Sequence, residues 1–520
     1  MPERTLDQWF AAAVGRHGNQ PALEVCGRSL SYQQLSGLAA VVARRILAVH
    51  GGPPERLALL AARSLVAYTG YLAALRIGAA VVPVNPSSPV HRNAEISRLA
   101  QVDFLLSDAN GARQLSEWPA DLDRTVLCLA DEDLVAASSS KYDAAGSAGR
   151  PVTADAVAYI VFTSGSTGRP KGVPIRHRQV APYISRSIDR YRVSPGCRMS
   201  HTFELTFDPS IFDLFVTWGG GATLVVPERA GMLAPVAYIE EEELTHWYSV
   251  PSVISIGAEL GNLPTGRVSS LRYSTFVGEP LTFRQAALWQ EVAPGTIIDN
   301  VYGPTELTVT CADYRLPGDR RRWPVTSNAT VPIGAVYDHL EHLVVDEDGR
   351  PSDEGELCLR GLQRFDGYLD PADNRGRFVS ADATWGITGY LETAPASEHY
   401  YRTGDRVRLE SGTLVHLGRL DNQVKIRGHR IEPGDVESAI REHPQVADAI
   451  VVAVPRAEGG LELVGYFTGD PMGSGELRRW LRRRIPVHMV PRRIRHLETI
   501  PRNPNGKADR RALTADAGYV

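Results

Sequence analysis

From about residue 20 to residue 230, apolar runs of strand type alternate with helical spacing. Val41 to Val49, Leu57 to Leu60, Leu65 to Leu75, Ala79 to Val84, Phe104 to Leu106 and Thr125 to Leu129 read as alternating helices and strands. This rhythm predicts a layered α/β fold on a largely parallel sheet. The stretch Ala136 to Thr153, rich in Ala, Ser and Gly, reads as a surface loop ahead of a strand over Ala156 to Phe162. The α/β pattern continues to about residue 310. Beyond the arginine-rich loop Leu316 to Pro332 come short strands at His342 to Asp346, Gly355 to Arg360, Arg406 to Leu409 and Thr413 to Leu417, which predict a β-rich subdomain. The last hundred residues read as a small α+β unit. Its strands are Gln423 to Arg427, Ala449 to Pro455 and Glu462 to Phe467, and its helices Pro433 to Glu442 and Gly475 to Ile485.

The predicted class is therefore α/β and α+β. A large N-terminal domain of layered α/β subdomains plus a β-rich subdomain takes residues 1–418, a hinge 419–422, and a small C-terminal α+β domain 423–520. A length of 520 residues leaves room for several such units. Hydrophobic content of 43% and charged content of 22% exclude disorder as the dominant state. A formal net charge of -4 gives no global reason to bind nucleic acid. No run of about 18 apolar residues occurs, so no membrane span is expected. Glu3 and Asp7 near the start, with no basic region leading into an apolar stretch, predict no signal peptide. Cys26, Cys128, Cys197, Cys311 and Cys358 form no C-x-x-C pair, which points to reduced thiols in a cytoplasm. Lysine occurs only four times against 52 arginines, and Lys171, Lys425 and Lys507 all fall in motifs described below.

The strongest local signal is Thr163-Ser164-Gly165-Ser166-Thr167-Gly168-Arg169-Pro170-Lys171-Gly172, directly after a predicted strand. Its glycines let the backbone approach an anion, and its hydroxyls and freed N–H groups can cradle phosphate oxygens. Taken alone, the segment also reads as a flexible Gly/Ser loop. A Walker A loop requires G-x-x-x-x-G-K-S/T, and Pro170 before Lys171 breaks that pattern.

An ordered series of motifs spans nearly the whole chain. It comprises Leu30-Ser31-Tyr32-Gln33-Gln34-Leu35, Leu75 to Asn85, the phosphate loop, Phe207-Asp208-Pro209-Ser210, Asn300-Val301-Tyr302-Gly303-Pro304-Thr305-Glu306, Gly355-Glu356-Leu357, Tyr401 to Asp405, Gly418 to Gly428 and Asn505 to Arg510. In this order the motifs resemble the adenylate-forming enzymes, most closely the amino-acid adenylation domains of nonribosomal peptide synthesis. The chain is also similar to discrete adenylation enzymes of macrolactam polyketide pathways and to D-alanine ligases of teichoic acid synthesis. The resemblance implies a substrate carboxylate attacking the α-phosphorus of ATP, with Mg2+, to give an acyl-adenylate, and then displacement of AMP by a pantetheine thiol. Both steps concentrate negative charge, so the site must supply cations and donors.

By the same resemblance Glu306 ligates Mg2+, Thr305 donates to the α-phosphate, Tyr302 stacks on adenine and Asp405 accepts from the ribose. Thr163 to Gly168 with Lys171, and Gly278, Asn300 and Gly303, complete the nucleotide site. Arg419 reaches ribose or phosphate, or pairs with an acid at the hinge. Lys507 is the expected adenylation catalyst, bridging carboxylate and α-phosphate as a compact point charge. Lys425 serves the second half-reaction, Gly428 leaves room for the pantetheine arm, and Asp421 is the hinge about which the C-terminal domain moves.

Asp208 carries the substrate information. In amino-acid-activating members an Asp here pairs with the substrate ammonium, and a buried carboxylate needs such a cation. The same Asp208-Pro209 also reads as a helix N-cap with Pro at N1. Phe212, Ser249, Val277, Val301, Val309 and Thr310 are the expected pocket lining, and their uncharged character suits a small neutral, alanine-like amino acid. A β-amino acid enzyme, a D-alanine ligase and an acyl- or aryl-CoA ligase are the alternatives. Thirteen residues follow Lys507, with no carrier motif among them, so a separate carrier protein is the expected acceptor. Arg478 to Arg511 holds 12 basic residues against Glu498 and Asp509. With Leu477, Trp480, Leu481 and Ile485 turned inward, the arginines would face outward, as a docking surface for an acidic carrier or as a solvated face.

Overall fold

The computed structural model describes residues 4–119, 124–138, 149–164, 169–227, 234–382, 384, 386–391, 395–456, 460–502 and 508–518. One six-stranded sheet runs in the order Thr125–Cys128, Phe104–Ser107, Arg56–Leu60, Ala80–Val84, Val157–Thr163 and Lys171–Arg176, parallel except for the last pair. Its inner strands are continuous apolar runs because helices cover both faces. A nine-stranded sheet has a parallel centre in the order Ile297–Tyr302, Tyr273–Phe276, His246–Ser249, Arg198–Ser200, Thr223–Val225 and Pro21–Val25, with antiparallel strands at both ends. The third sheet is antiparallel, built from Leu340–Val345, Glu354–Gly361, Tyr400–Glu410, Phe378–Asp382, Gly386–Tyr390 and Thr413–Arg419. This is the β-rich subdomain that the short strands predict.

Local sequence explains several boundaries. Ser31 accepts from the Gln34 N–H and the Gln34 side chain accepts from the Ser31 N–H, so the first signature motif is the capping box of the helix Tyr32–His50. Gly78, at φ 81°, closes the helix Leu65–Ile77 in the left-handed region, as a C-cap glycine does. That helix is buried on every residue except Arg76, which is why its sequence shows an unbroken apolar run and no stripe.

A continuous apolar core runs from Leu6 to Leu414 and joins the three sheets. The small unit has its own cores, around Ile440, Phe467 and Leu481 on one side and Tyr466 and Leu513 on the other. It consists of the strand pair Val424–Ile426 and His429–Ile431, and the sheet Val446–Pro455, Leu461–Gly469 and Arg493–His496. Helices Pro433–Arg441, Ser474–Arg482 and Arg510–Gly518 pack on these. Residues 420–423 link the large and small units without joining a sheet.

Two expectations need correction, and one strand was not foreseen. The presumed loop after Ala136 begins inside the helix Asp131–Ser138. The strand Arg493–His496 was hidden because its charged residues alternate on a half-buried edge. The basic segment does not turn all its arginines outward. Arg484 stacks on Trp480 and pairs with Glu442, Arg493 pairs with Glu462, Arg495 with Asp516 and Arg510 with Glu437, while Arg479, Arg482 and Arg483 are exposed.

Trp218 shows how the large core is tied. Fully buried, it meets Phe10 and Phe215 edge-on at 5.3 and 5.7 Å, and its indole N–H donates to the Ala22 carbonyl at 2.9 Å. Trp218→Ala should cost about 3–5 kcal/mol. Urea unfolding of the large unit checks this, with a loss under about 1 kcal/mol contradicting the packing described.

Candidate active site

A cavity of about 610 Å³ opens where the parallel strands of the nine-stranded sheet end and the small unit docks. Ligands bind at such strand ends because the loops there carry side chains on a rigid frame. Its lining includes Thr163, Ser164, Asp208, Ser249, Val277, Gly278, Gly303, Thr305, Val309, Asp405, Arg419, Lys425 and Gly428. Residues scattered over more than 260 positions are thus brought to one space.

Asp208 is buried, and its Oδ2 accepts from the Val309 N–H at 3.2 Å, with Thr305 as a second donor. The carboxylate therefore faces the 305–309 loop and does not cap its own helix. Burial pushes its pKa up to about 7, with the Glu306 charge adding to the shift. A nearby acid has another job: Asp213, fully buried beside His201 at 3.2 Å, accepts from the Thr202 and Phe203 N–H groups.

Glu306 is fully buried. Burial opposes its charge, but the Arg430 guanidinium and the Tyr368 hydroxyl outweigh this and bring its pKa to about 2. Arg430 Nη1 lies 2.9 Å from each Glu306 oxygen, and the Tyr368 hydroxyl donates at 2.6 Å. A buried, ionised carboxylate next to the cavity-lining Thr305 suits a hard cation that shares it with phosphate oxygens. Among the described residues no group of three or more His, Cys, Asp or Glu could form a protein cage for a metal.

Asp405 accepts from the Tyr302 hydroxyl at 2.6 Å and from Arg419 and His416 at 3.1 Å each. Burial works against its charge, but His416 and Arg419 hold it well below the usual carboxylate range. The irregular stretch of strand that presents it is set by Glu356, which accepts from the Gly404 N–H at 3.0 Å and from Arg402. The motif Gly355-Glu356-Leu357 thus supports the neighbouring Thr403-Gly404-Asp405 strand. Arg419 also grips Asp421 at 2.7 and 2.8 Å, so it pairs with acids on both sides of the link.

The small unit closes the cavity with its strand pair 424–431. Lys425 Nζ lies 5.9 Å from the centre of the Tyr302 ring and covers it. Burial pulls the lysine pKa down, against the attraction of Asp405. Gly428, at φ 78°, donates its N–H to Glu279 at 3.1 Å, and a Cβ there would lie 2.4 Å from a Val250 methyl. Gly303 is equally constrained, since its Cβ would meet the Thr310 Cα at 2.5 Å. Next to it, His429 stacks on His488 at 3.6 Å, and Phe207 meets His429 edge-on at 4.6 Å. Nothing in the pattern of the sequence signalled this aromatic stack or Arg430, and the motif holding Glu356 gave it no role.

Part of the expected lining is misplaced. Phe212 packs on Tyr248 at 4.4 Å, Val301 lies in the core, and the Thr310 hydroxyl bonds to Tyr337 at 2.6 Å. None of the three lines the cavity, since each is spent on packing or a hydrogen bond within the large unit. Asn300 spends its amide on the Val331 and Pro332 carbonyls at 3.1 and 2.9 Å, and Lys171 pairs with Asp373 at 3.0 Å. Tyr302 is likewise outside the lining, held on Asp405 beneath Lys425. Gly165, Ser166, Thr167, Gly168 and Lys507 lie outside the described residues.

Comparison with known proteins agrees with this frame. Residues 10–369 match the AMP-binding enzyme family and residues 435–507 the AMP-binding enzyme C-terminal domain. The chain belongs to the AMP-binding enzyme family, within the adenylate-forming superfamily. Among its relatives, phosphinothricin tripeptide synthetase PhsC of Streptomyces viridochromogenes is 34% identical over 98% of this chain and 45% of its own length. The L-proline–(L-prolyl-carrier protein) ligase of Pseudomonas fluorescens is 31% identical over 98% of this chain and 99% of that protein. The crystal structure of the Vibrio cholerae adenylation domain AlmE, in complex with glycyl-adenosine-5'-phosphate, superposes with a TM-score of 0.81 at 26% identity, covering 99% of this chain and 98% of that one. The chain spans less than half the length of the first curated relatives it matches. No helix among the described residues is long and apolar enough to cross a membrane.

Proposed function

We propose that this protein activates a small neutral amino acid as its adenylate and transfers the aminoacyl group to the phosphopantetheine thiol of a separate carrier protein. The carrying observation is Asp208, a buried carboxylate on the cavity wall whose hydrogen-bond partners are both neutral. A substrate ammonium is the counter-ion it lacks. Ser249, Val277 and Val309 on the same cavity wall offer no charge to a substrate side chain. An aryl or simple acyl substrate would leave Asp208 with the field of Lys425 but no cation among its hydrogen-bond partners. The Pseudomonas relative, a carrier-protein ligase of matching length, and AlmE, bound to glycyl-adenylate, support both halves of the reading.

In this reading a substrate carboxylate oxygen attacks the α-phosphorus of ATP, and the bond to pyrophosphate breaks. Lys507, Thr305 and the 163–168 loop with Lys171 stabilise the charge on the phosphates. Asp405 and Arg419 hold the ribose, and Gly278, Asn300, Tyr302 and Gly303 form the adenine side. Mg2+, held by Glu306, would neutralise phosphate charge. The thiol then attacks the acyl carbon and AMP leaves, with Lys425 serving this step and Gly428 keeping the pantetheine path open. Residues 1–418 act as the core, 419–422 with Asp421 as the hinge and 423–520 as the moving domain. Exposed Arg479, Arg482 and Arg483 suit an acidic carrier surface. Five free cysteines fit a reducing compartment such as the cytoplasm.

Amino-acid-dependent ATP/pyrophosphate exchange across a panel of α-, D-, β-amino and aryl acids tests the class. Exchange should be highest with alanine-sized amino acids and lost in Lys507→Ala; exchange with aryl acids alone would overturn the assignment of Asp208. A second outcome concerns pH. With its pKa near 7, Asp208 is neutral below that pH and cannot pair with an ammonium. kcat/KM for the amino acid should therefore fall about tenfold per unit below pH 7 and level off above it, with a flat, low profile in Asp208→Asn. A third concerns size. Val309→Ala should raise the kcat/KM ratio of leucine over alanine by about tenfold or more, and an unchanged ratio would remove Val309 from the pocket.

A further inference from the structure

Arg430 does two things at once, both at the expected phosphate and metal positions. Its guanidinium Nη1 bridges the two Glu306 oxygens at 2.9 Å each, while its backbone carbonyl accepts the Ser164 hydroxyl at 2.8 Å. Its strand pair is further clasped to the large unit through the Gly428 N–H on Glu279. With Tyr368 also donating to Glu306, this fully buried carboxylate has three of its contacts filled from within the protein. A buried carboxylate without a cation is costly, so something positive must stand at Glu306 at every stage. Arg430 Nη1 occupies both Glu306 oxygens, so a divalent cation that binds either of them competes with it for the carboxylate and is repelled by its like charge.

We infer that Arg430 and the divalent cation are alternative counter-ions of Glu306, so that the metal arriving with ATP expels Arg430 and its departure lets the 424–431 strand pair dock. Arg430 is then a positioning residue: it neutralises Glu306 and holds the Ser164 hydroxyl while Lys425 and Gly428 face the cavity. The inference rests on the reading of Glu306 as metal ligand in an adenylating site. It adds that docking of the small unit senses whether the metal is present.

Two measurements on the full chain test it without turnover. In the first, ATP binding is followed by calorimetry while Mg2+ is titrated, with no amino acid present. Arg430→Gln should lower the half-saturating Mg2+ roughly tenfold, as expected if the pair occupies Glu306 nine-tenths of the time, and Arg430→Lys should fall between. An unchanged Mg2+ requirement in a folded Arg430→Gln protein would overturn the inference. The second uses unmodified protein and needs no variant to fold. Hydrogen exchange at Gly428 and its neighbours in 424–431 should quicken at least about tenfold with ATP plus Mg2+, but not with ATP alone. Equal protection under both conditions would overturn it. Wild type that binds no ATP at all would overturn the adenylation reading and this inference with it, whereas intact Mg2+-dependent binding with no role for Arg430 would overturn this inference alone.

Discussion

Asp208 and Asp405 line one cavity and Glu306 is buried behind the lining residue Thr305, and carboxylates buried so near one another repel unless cations are interleaved. The large unit supplies Arg419 and His416 to Asp405, and to Glu306 only the field of Arg377 without a hydrogen bond. Arg430 and Lys425 come from the small unit, so the electrostatics of the large unit's site are completed by another part of the chain. Docking of the strand pair 424–431 is in this sense a charge-pairing event. Asp208 alone keeps only neutral hydrogen-bond partners, which is why its pKa rises while those of the other two fall.

The surrounding frame serves these acids. Glu356 orients the stretch of strand before Asp405, and Tyr302 and Tyr368 each spend a hydroxyl on a carboxylate. Gly303 and Gly428 are glycine because a neighbouring backbone or a Val250 methyl occupies the place of a Cβ. Motif residues thus divide into those that face the cavity and those that hold the others in place. Ser31 and Gln34 are of a third kind, since they act only on the start of a helix.

Much of the fold was legible in the sequence because its signals are local. Buried parallel strands read as apolar runs, glycine marked the end of the helix Leu65–Ile77, and the shift from α/β alternation to short strands marked the antiparallel sheet. The strand Arg493–His496 escaped, since three of its four residues are charged or ionisable and its pairing is long-range. In the site, the motif series was enough to name Asp208, Thr305, Glu306, Asp405, Arg419, Lys425 and Gly428. Phe212, Val301 and Thr310 were placed by sequence proximity to motifs, and proximity along a chain does not fix which way a side chain points.

The amino-acid sequence by itself determined the family, the order of the sheets' building blocks and the ordered series of motifs. Tertiary structure alone decided which of them meet. The pairing of Glu306 with Arg430 joins residues 124 positions apart, and that of Asp208 with Val309 joins residues 101 apart. No local propensity encodes such contacts, because they arise only when packing brings separate strand ends and the small unit to one cavity and the cost of burying charge selects the partners.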